Sequence, residues 1–189
     1  VKHSTIRQSS GNGIVVASNS SATILQSEIT GNALSGANSA GTLIARLNWW
    51  GDASGPSGIG PGSGSAISGN VLFEPWLGQP VSGPFEWTMA LDSPDPFPQS
   101  GGRTAFFGTL VEPGNWTITL KDFAGPIVKT FTGSGSSFAQ DWVGDNASGT
   151  PLPNGSYTYQ LSATSLGAGQ AASPAIGRVT LNSNLPVAN

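Results

Sequence analysis

The chain has 189 residues with a formal charge of −3, and 27 of them are glycine and 14 proline. Charged residues make up 9% of it, against about 25% in an ordinary soluble domain, while the 37% hydrophobic share is enough for a core; long helices and charge-driven disorder are both disfavoured. Seven basic residues with no basic run argue against nucleic acid, no apolar stretch reaches the roughly 18 residues of a membrane helix, and zero cysteines rule out disulfides and thiolate chemistry. The expected fold class is all-β, without membrane insertion. Any export signal is expected to have been removed or to lie upstream.

The first half, residues 1–80, carries an imperfect repeat. At an offset of 23, Ser4-Thr5-Ile6 lies over Ser27-Glu28-Ile29 and Gly13-Ile14 over Gly36-Ala37; at an offset of 20, Ile24 lies over Ile44 and Gly31 over Gly51. That spacing predicts coils of short strands with apolar side chains stacked inside and Gly or Asn at the corners. Ile6, Ile14, Val16, Ile24, Ile29, Leu34, Ile44 and Leu47 are the expected interior. So few coils are close to the minimum for a stable stack, so these read as the last coils of a longer protein.

The text then changes to Asn48-Trp49-Trp50-Gly51-Asp52 with Ser54-Gly55-Pro56, a Gly/Ser-rich stretch, Ser68-Gly69-Asn70-Val71 and Glu74-Pro75-Trp76-Leu77. These two tryptophan motifs, in this order, resemble the closing segment of right-handed parallel β-helix repeat proteins, a group that includes polysaccharide-degrading enzymes and many surface proteins. Large indoles can cover the open end of an apolar stack. Trp49, Trp50 and Trp76 are therefore the candidate cap or ligand-stacking residues. Trp49 and Trp50 cannot both point inward from adjacent strand positions, so one of them is expected on a bend or exposed.

The second half, residues 81–189, reads as seven short strands. Phe85, Trp87, Met89 and Leu91 alternate, as do Trp116, Ile118 and Leu120, and Tyr157, Tyr159, Leu161 and Ala163. Between them lie Arg103 to Thr109, Ile127 to Phe131, Phe138 to Val143 and Ile176 to Leu181, with turns expected at Pro113-Gly114-Asn115, Gly125-Pro126, Gly133-Ser134-Gly135 and Pro153-Asn154-Gly155-Ser156. The run Leu120-Lys121-Asp122 through Gly125, then Asp141-Trp142, Gly144, Gly149, Leu152-Pro153, Gly155 and Tyr157-Thr158-Tyr159, is similar to the immunoglobulin-like domain at the C-terminus of flagellar hook-capping proteins. That resemblance implies a module of an exported bacterial protein, with Trp142 packed between two sheets. The proline-dominated Ser93-Pro94-Asp95-Pro96-Phe97-Pro98 departs from the Asn- or Asp-rich loop of relatives and weakens a calcium role there.

No catalytic, metal or cofactor residue emerges. His3, the lone histidine, stands at the start of the sequence and lacks the setting a Ser-His-Asp relay needs. Glu28, Asp52 and Glu74, with Arg7 and Arg46, do not form the consecutive acidic ladder of the β-helix lyases. Asp141, Asp145 and Asn146 raise calcium, but carboxylates in a turn more often accept backbone N–H bonds. Asn19, Asn115, Asn146 and Asn154 begin Asn-x-Ser/Thr sequons that a Ser- and Asn-rich chain produces by chance. Trp87, Trp116 and Trp142 are expected in the core. The expected function is therefore a noncatalytic C-terminal scaffold, anchoring, adhesion or assembly module of an extracellular or cell-surface bacterial protein. Its expected partners are a polysaccharide, another cell-surface component, or a second copy added at the open coil edge. The alternatives are the tail of a polysaccharide lyase or hydrolase whose site lies upstream, a carbohydrate-binding module, and a subunit of an extracellular filament.

Overall fold

In a computed structural model, residues 1–81, 83, 85–98 and 101–184 are described, and among them the regular structure is all strand. No helix there is long and apolar enough to cross a membrane. The chain divides into two compact units, Val1–Gly83 with Ser173–Ile176, and Pro84–Ala172 with Gly177–Asn189.

The first unit holds β1 (Thr5–Arg7), β2 (Ile14–Val16), β3 (Ser21–Thr23), β4 (Glu28–Thr30), β5 (Ala37–Ile44), β6 (Pro56–Gly58), β7 (Gly64–Leu72) and β8 (Trp76–Leu77). Its ladders among β1 to β7 are all parallel. β1 lies beside β4 with Ile6 opposite Ile29, and β2 beside β5 with Ile14 opposite Ala37, so the 23-residue offset is also the strand register. The second offset is 21 rather than 20: Ala22 faces Leu43 and Thr23 faces Ile44. Ile24 therefore stands next to Ala45, which is fully buried, while Ile44 falls on the outer face of β5. Leu34 is also exposed, in the corner where its N–H bonds to Gly11. Both residues depart from the expected interior. The next parallel pairing spans more residues, with Ala37 opposite Ile67 and Leu43 opposite Val71, because the segment around β6 lies between the two strands.

Large side chains stack on small ones, as in Ile14, Ala37 and Ile67, and this keeps the narrow interior filled. The corners repeat as well. His3, Gln26 and Leu47 occupy equivalent corners with φ of 50°, 49° and 54°, and Gln8 and Gly31 repeat a second corner at 59° and 63°. Gly or Asn was expected there, yet mostly larger residues carry the left-handed backbone. The cross-coil bonds from His3 N–H to Gln26 C=O, from Gln26 N–H to Leu47 C=O and from Leu47 N–H to Pro75 C=O hold them in it. Within this unit the antiparallel pairing of Ala175 with Leu77 and Ile176 with Trp76 adds a last strand.

The second unit is antiparallel, built from β9 (Trp87–Ser93), β10 (Thr104–Lys121), β11 (Ile127–Trp142), β12 (Gly155–Ser165) and β13 (Ala175–Leu181), of which Gly177 onward belongs here. It has fewer and longer strands than expected. β10 and β11 run through the positions read as turns: Gly114 pairs with Gly135 and Asn115 with Ser134, past an irregularity between Thr109 and Gly114. On its other edge the first half of β10 pairs with β9 and the second half with β12, so with β11 one strand serves three ladders. The Gly125-Pro126 turn is present, closed by a bond from Asp122 N–H to Pro126 C=O.

In β9 a shift opposite Thr109/Leu110 breaks the alternation: Trp87 is buried, Met89 turns outward and Ala90 turns in. The core is aromatic. The Trp142 ring lies 5.5 Å from Phe97, 6.4 Å from Phe106 and 5.5 Å from Tyr157, and Trp116 stacks on Phe138 at 4.4 Å. The Trp142 indole N–H donates to Asp145 C=O at 2.8 Å, so its polar edge is satisfied.

Candidate functional site

The tryptophan-bearing segment of the first unit is where the sequence places its candidate residues. The corner formed by Ser4, Ser27 and Asn48 leads into it. Ser27 Oγ accepts from Ser4 N–H, and Asn48 Oδ1 accepts from Ser27 N–H at 2.9 Å. Asn48 Nδ2 donates to Ile24 C=O at 2.8 Å and Ala45 C=O at 2.7 Å, all within a fully buried side chain. One amide thus satisfies backbone groups of two successive coils.

Beyond Asn48, successive side chains diverge. Trp49 pairs through its backbone with Glu28 and is half-buried, whereas Trp50 is completely buried and its ring abuts Gly36. Trp76 is buried as well; its indole N–H donates to Ala53 C=O at 3.1 Å, and the ring lies on Gly55. A Cβ on Gly55 would stand 2.7 Å from that indole, and the residue has φ of 93°, so the sequence needs glycine there on two counts. Trp76 thereby fastens the start of the inserted segment. Asp52 belongs to the same loop, and its carboxyl is held below the usual range, first by the Ser54 hydroxyl and then by the Ser54 N–H.

The remaining candidates are dispersed. His3 is exposed at its left-handed corner and Arg7 is exposed at the end of β1. Arg46 Nε donates to Glu74 C=O at 2.7 Å, tying one coil to the next. Asp141 faces Arg103 at 3.3 Å, while Asp145 receives the Lys129 ammonium at 2.6 Å in a largely enclosed pair. The Asn146 side chain accepts from Ser148 and Thr150 N–H. Asp145 and Asn146 are thus employed in the turn, and the ammonium stands where a cation would. Of the other sequons, Asn154 accepts from Ser183, Asn115 lies within β10, and Asn19 sits in a turn at φ of 62°.

Elsewhere Asp92 accepts from Tyr159 Oη at 2.7 Å, Asp95 from Thr180 N–H at 2.6 Å, and Glu112 from Ser165 Oγ. Nothing in the sequence announced these partners, which are separated by 53 to 85 residues. Among the described residues no three His, Asp or Glu side chains gather as metal ligands.

No family model matches the chain and no curated protein matches it. Partial likenesses to solved structures do exist. Dimeric latent PorU from Porphyromonas gingivalis is similar over 55% of this chain and 10% of its own, at 17% identity and a TM-score of 0.42. FlgD from P. aeruginosa is similar over 53% of this chain and 70% of its own, at 17% identity and a TM-score of 0.34. FlgD from Xanthomonas campestris, described for hook capping in flagellar assembly, is similar over 53% and 66%, at 18% and 0.33. The chain therefore spans a tenth of PorU.

Proposed function

We propose that this chain is a noncatalytic scaffold and assembly module of an exported bacterial protein, in which the closing coils of a right-handed parallel β-helix carry an immunoglobulin-like sandwich. The observation that carries the reading is where the acidic side chains are spent. Six of the ten, Asp52, Asp92, Asp95, Glu112, Asp141 and Asp145, bond to partners within the fold rather than converging on a cleft. Glycoside hydrolysis needs two carboxyl groups about 5 to 9.5 Å apart across a sugar ring. Parallel registers from one strand segment to the next and the buried Trp50 and Trp76 support the coil reading, and the change of partner along β10 from β9 to β12 supports the sandwich.

Incubating the protein with acidic and neutral polysaccharides should release no new reducing ends or unsaturated products; turnover that depends on any of these carboxylates overturns the reading. The half-burial of Trp49 favours one further use, stacking on a sugar ring. Retardation in a glycan-containing gel that disappears in Trp49→Ala would support it. Self-association has its support in β1, which pairs on one side only among the described residues. A strictly monomeric species in sedimentation at high concentration removes that arm.

A further inference from the structure

We propose that the second unit binds a basic side chain, lysine or arginine, of a partner polypeptide in the open cleft of about 470 Å³ between the β10–β11 turn and the start of β12. Its distinctive features are Asp122 and Phe123 on one side and Pro153, Asn154 and Tyr157 on the other. Phe123 is the most exposed large apolar residue described, at 100% accessibility, on a turn where no packing requires a phenyl ring. Next to it Asp122 keeps Oδ1 shielded from solvent with no hydrogen-bond partner among the described residues. The fold thus leaves this carboxylate incompletely compensated, and because Asp122 lines the cleft, a cation resting against the carboxylate from the cleft side offsets that deficit best.

The surrounding groups narrow the choice of donor. Tyr157 has its hydroxyl committed to Pro153 C=O at 2.6 Å, and the Asn154 carbonyl oxygen accepts from Ser183 N–H and Oγ, so neither Tyr157 O–H nor Asn154 Oδ1 is left to read a neutral polar ligand. Beside the Ser156 hydroxyl and the Asn154 amide N–H, the cleft offers an apolar wall, an exposed aromatic face and one incompletely compensated negative charge. A cation carried on an apolar stem matches all three, with the head on Asp122 and the stem or guanidinium plane against Phe123. The net charge of −3 favours such a partner at longer range. This inference stands apart from the scaffold reading, which concerns the acids already paired.

The test is amide-resolved NMR of the whole chain titrated with Nα-acetyl-arginine amide and Nα-acetyl-lysine amide, with the glutamate and leucine analogues and maltose as comparators. Saturable shifts confined to 122–124 and 153–157, with affinity on the order of 1 mM, are expected for the two cations alone. Asp122→Asn should weaken that binding about tenfold or more, and Phe123→Ala, which removes a ring making no core contact, should weaken it without altering the spectrum elsewhere. No shift at these residues, an equal response to leucine amide or maltose, or undiminished binding by both variants overturns the proposal.

Discussion

The two units reach a buried core by opposite means. The first has short parallel strands whose buried positions are mostly aliphatic, such as Ala37, Ala45 and Ile29, and polar corner side chains such as Asn48 tie neighbouring segments together. The second has strands of up to 18 residues and fills its interior with rings. Short parallel ladders rely on equivalence from one strand segment to the next, and long antiparallel strands rely on a few large, mutually fitted side chains. Damage should therefore be carried differently in each.

The largest effect belongs to the ring cluster. Trp142→Ala removes contacts to Phe97, Phe106 and Tyr157 together with the bond to Asp145, and should cost about 3 to 5 kcal/mol. Urea unfolding followed by NMR should show the loss in signals of the second unit, with those of residues 5–50 retained. The matching experiment in the first unit is Asn48→Ala, which leaves Ser27 N–H and two carbonyls without their partner and should cost about 3 kcal/mol. If either substitution lowers both units equally, the contrast fails.

Next comes Gly55→Ala, expected to cost about 2 kcal/mol and to displace Trp76, visible as a red shift in its emission. At the small end, Gln8→Gly should stabilise the first unit by about 1 kcal/mol, since an exposed residue at φ of 59° gives up strain and loses little packing. Leu47→Gly, at an equally left-handed but buried position, should do the reverse.

Charge separates the units as well. Burial, and next the negative charge of Asp122, push the Tyr157 hydroxyl above the usual tyrosine value. The folded state thus holds this proton more tightly than the unfolded chain does, so its stabilisation is complete below pH about 10 and is lost as pH rises through the folded titration. The second unit should weaken on the alkaline side, and Tyr157→Phe should remove that slope while giving up about 1 kcal/mol at neutral pH with the bond to Pro153. In Asp122→Asn, phenolate absorbance of Tyr157 should appear at lower pH than in the parent.

The same contrast explains what could be read from the residues beforehand. Ser4-Thr5-Ile6 above Ser27-Glu28-Ile29 keeps one phase in both segments, and the parallel strand register follows that offset. The next offset was misread by one because two isoleucines, Ile24 and Ile44, invited alignment, while the register sets Thr23 against Ile44. The pairing of β5 with β7 leaves no repeat at the same spacing because the segment around β6 lengthens the connection between them. In the second unit, Pro113-Gly114-Asn115 has the composition of a turn, but Gly114 has backbone partners on both sides, Gly135 and Ser165, and these extend the strand past the local preference. Of the tryptophans, the pattern could say that Trp49 and Trp50 differ, which the burial of Trp50 and half-burial of Trp49 match. It could not foresee the pairs of Asp92 with Tyr159 or Glu112 with Ser165, since side-chain partners so far apart leave no trace in spacing.

Because β10 continues from the ladder with β9 into the ladder with β12 while β11 pairs with it along both stretches, these ladders are joined by unbroken main chain rather than by a loose connection. Tension entering along that strand reaches all three sets of interstrand bonds through a single main chain.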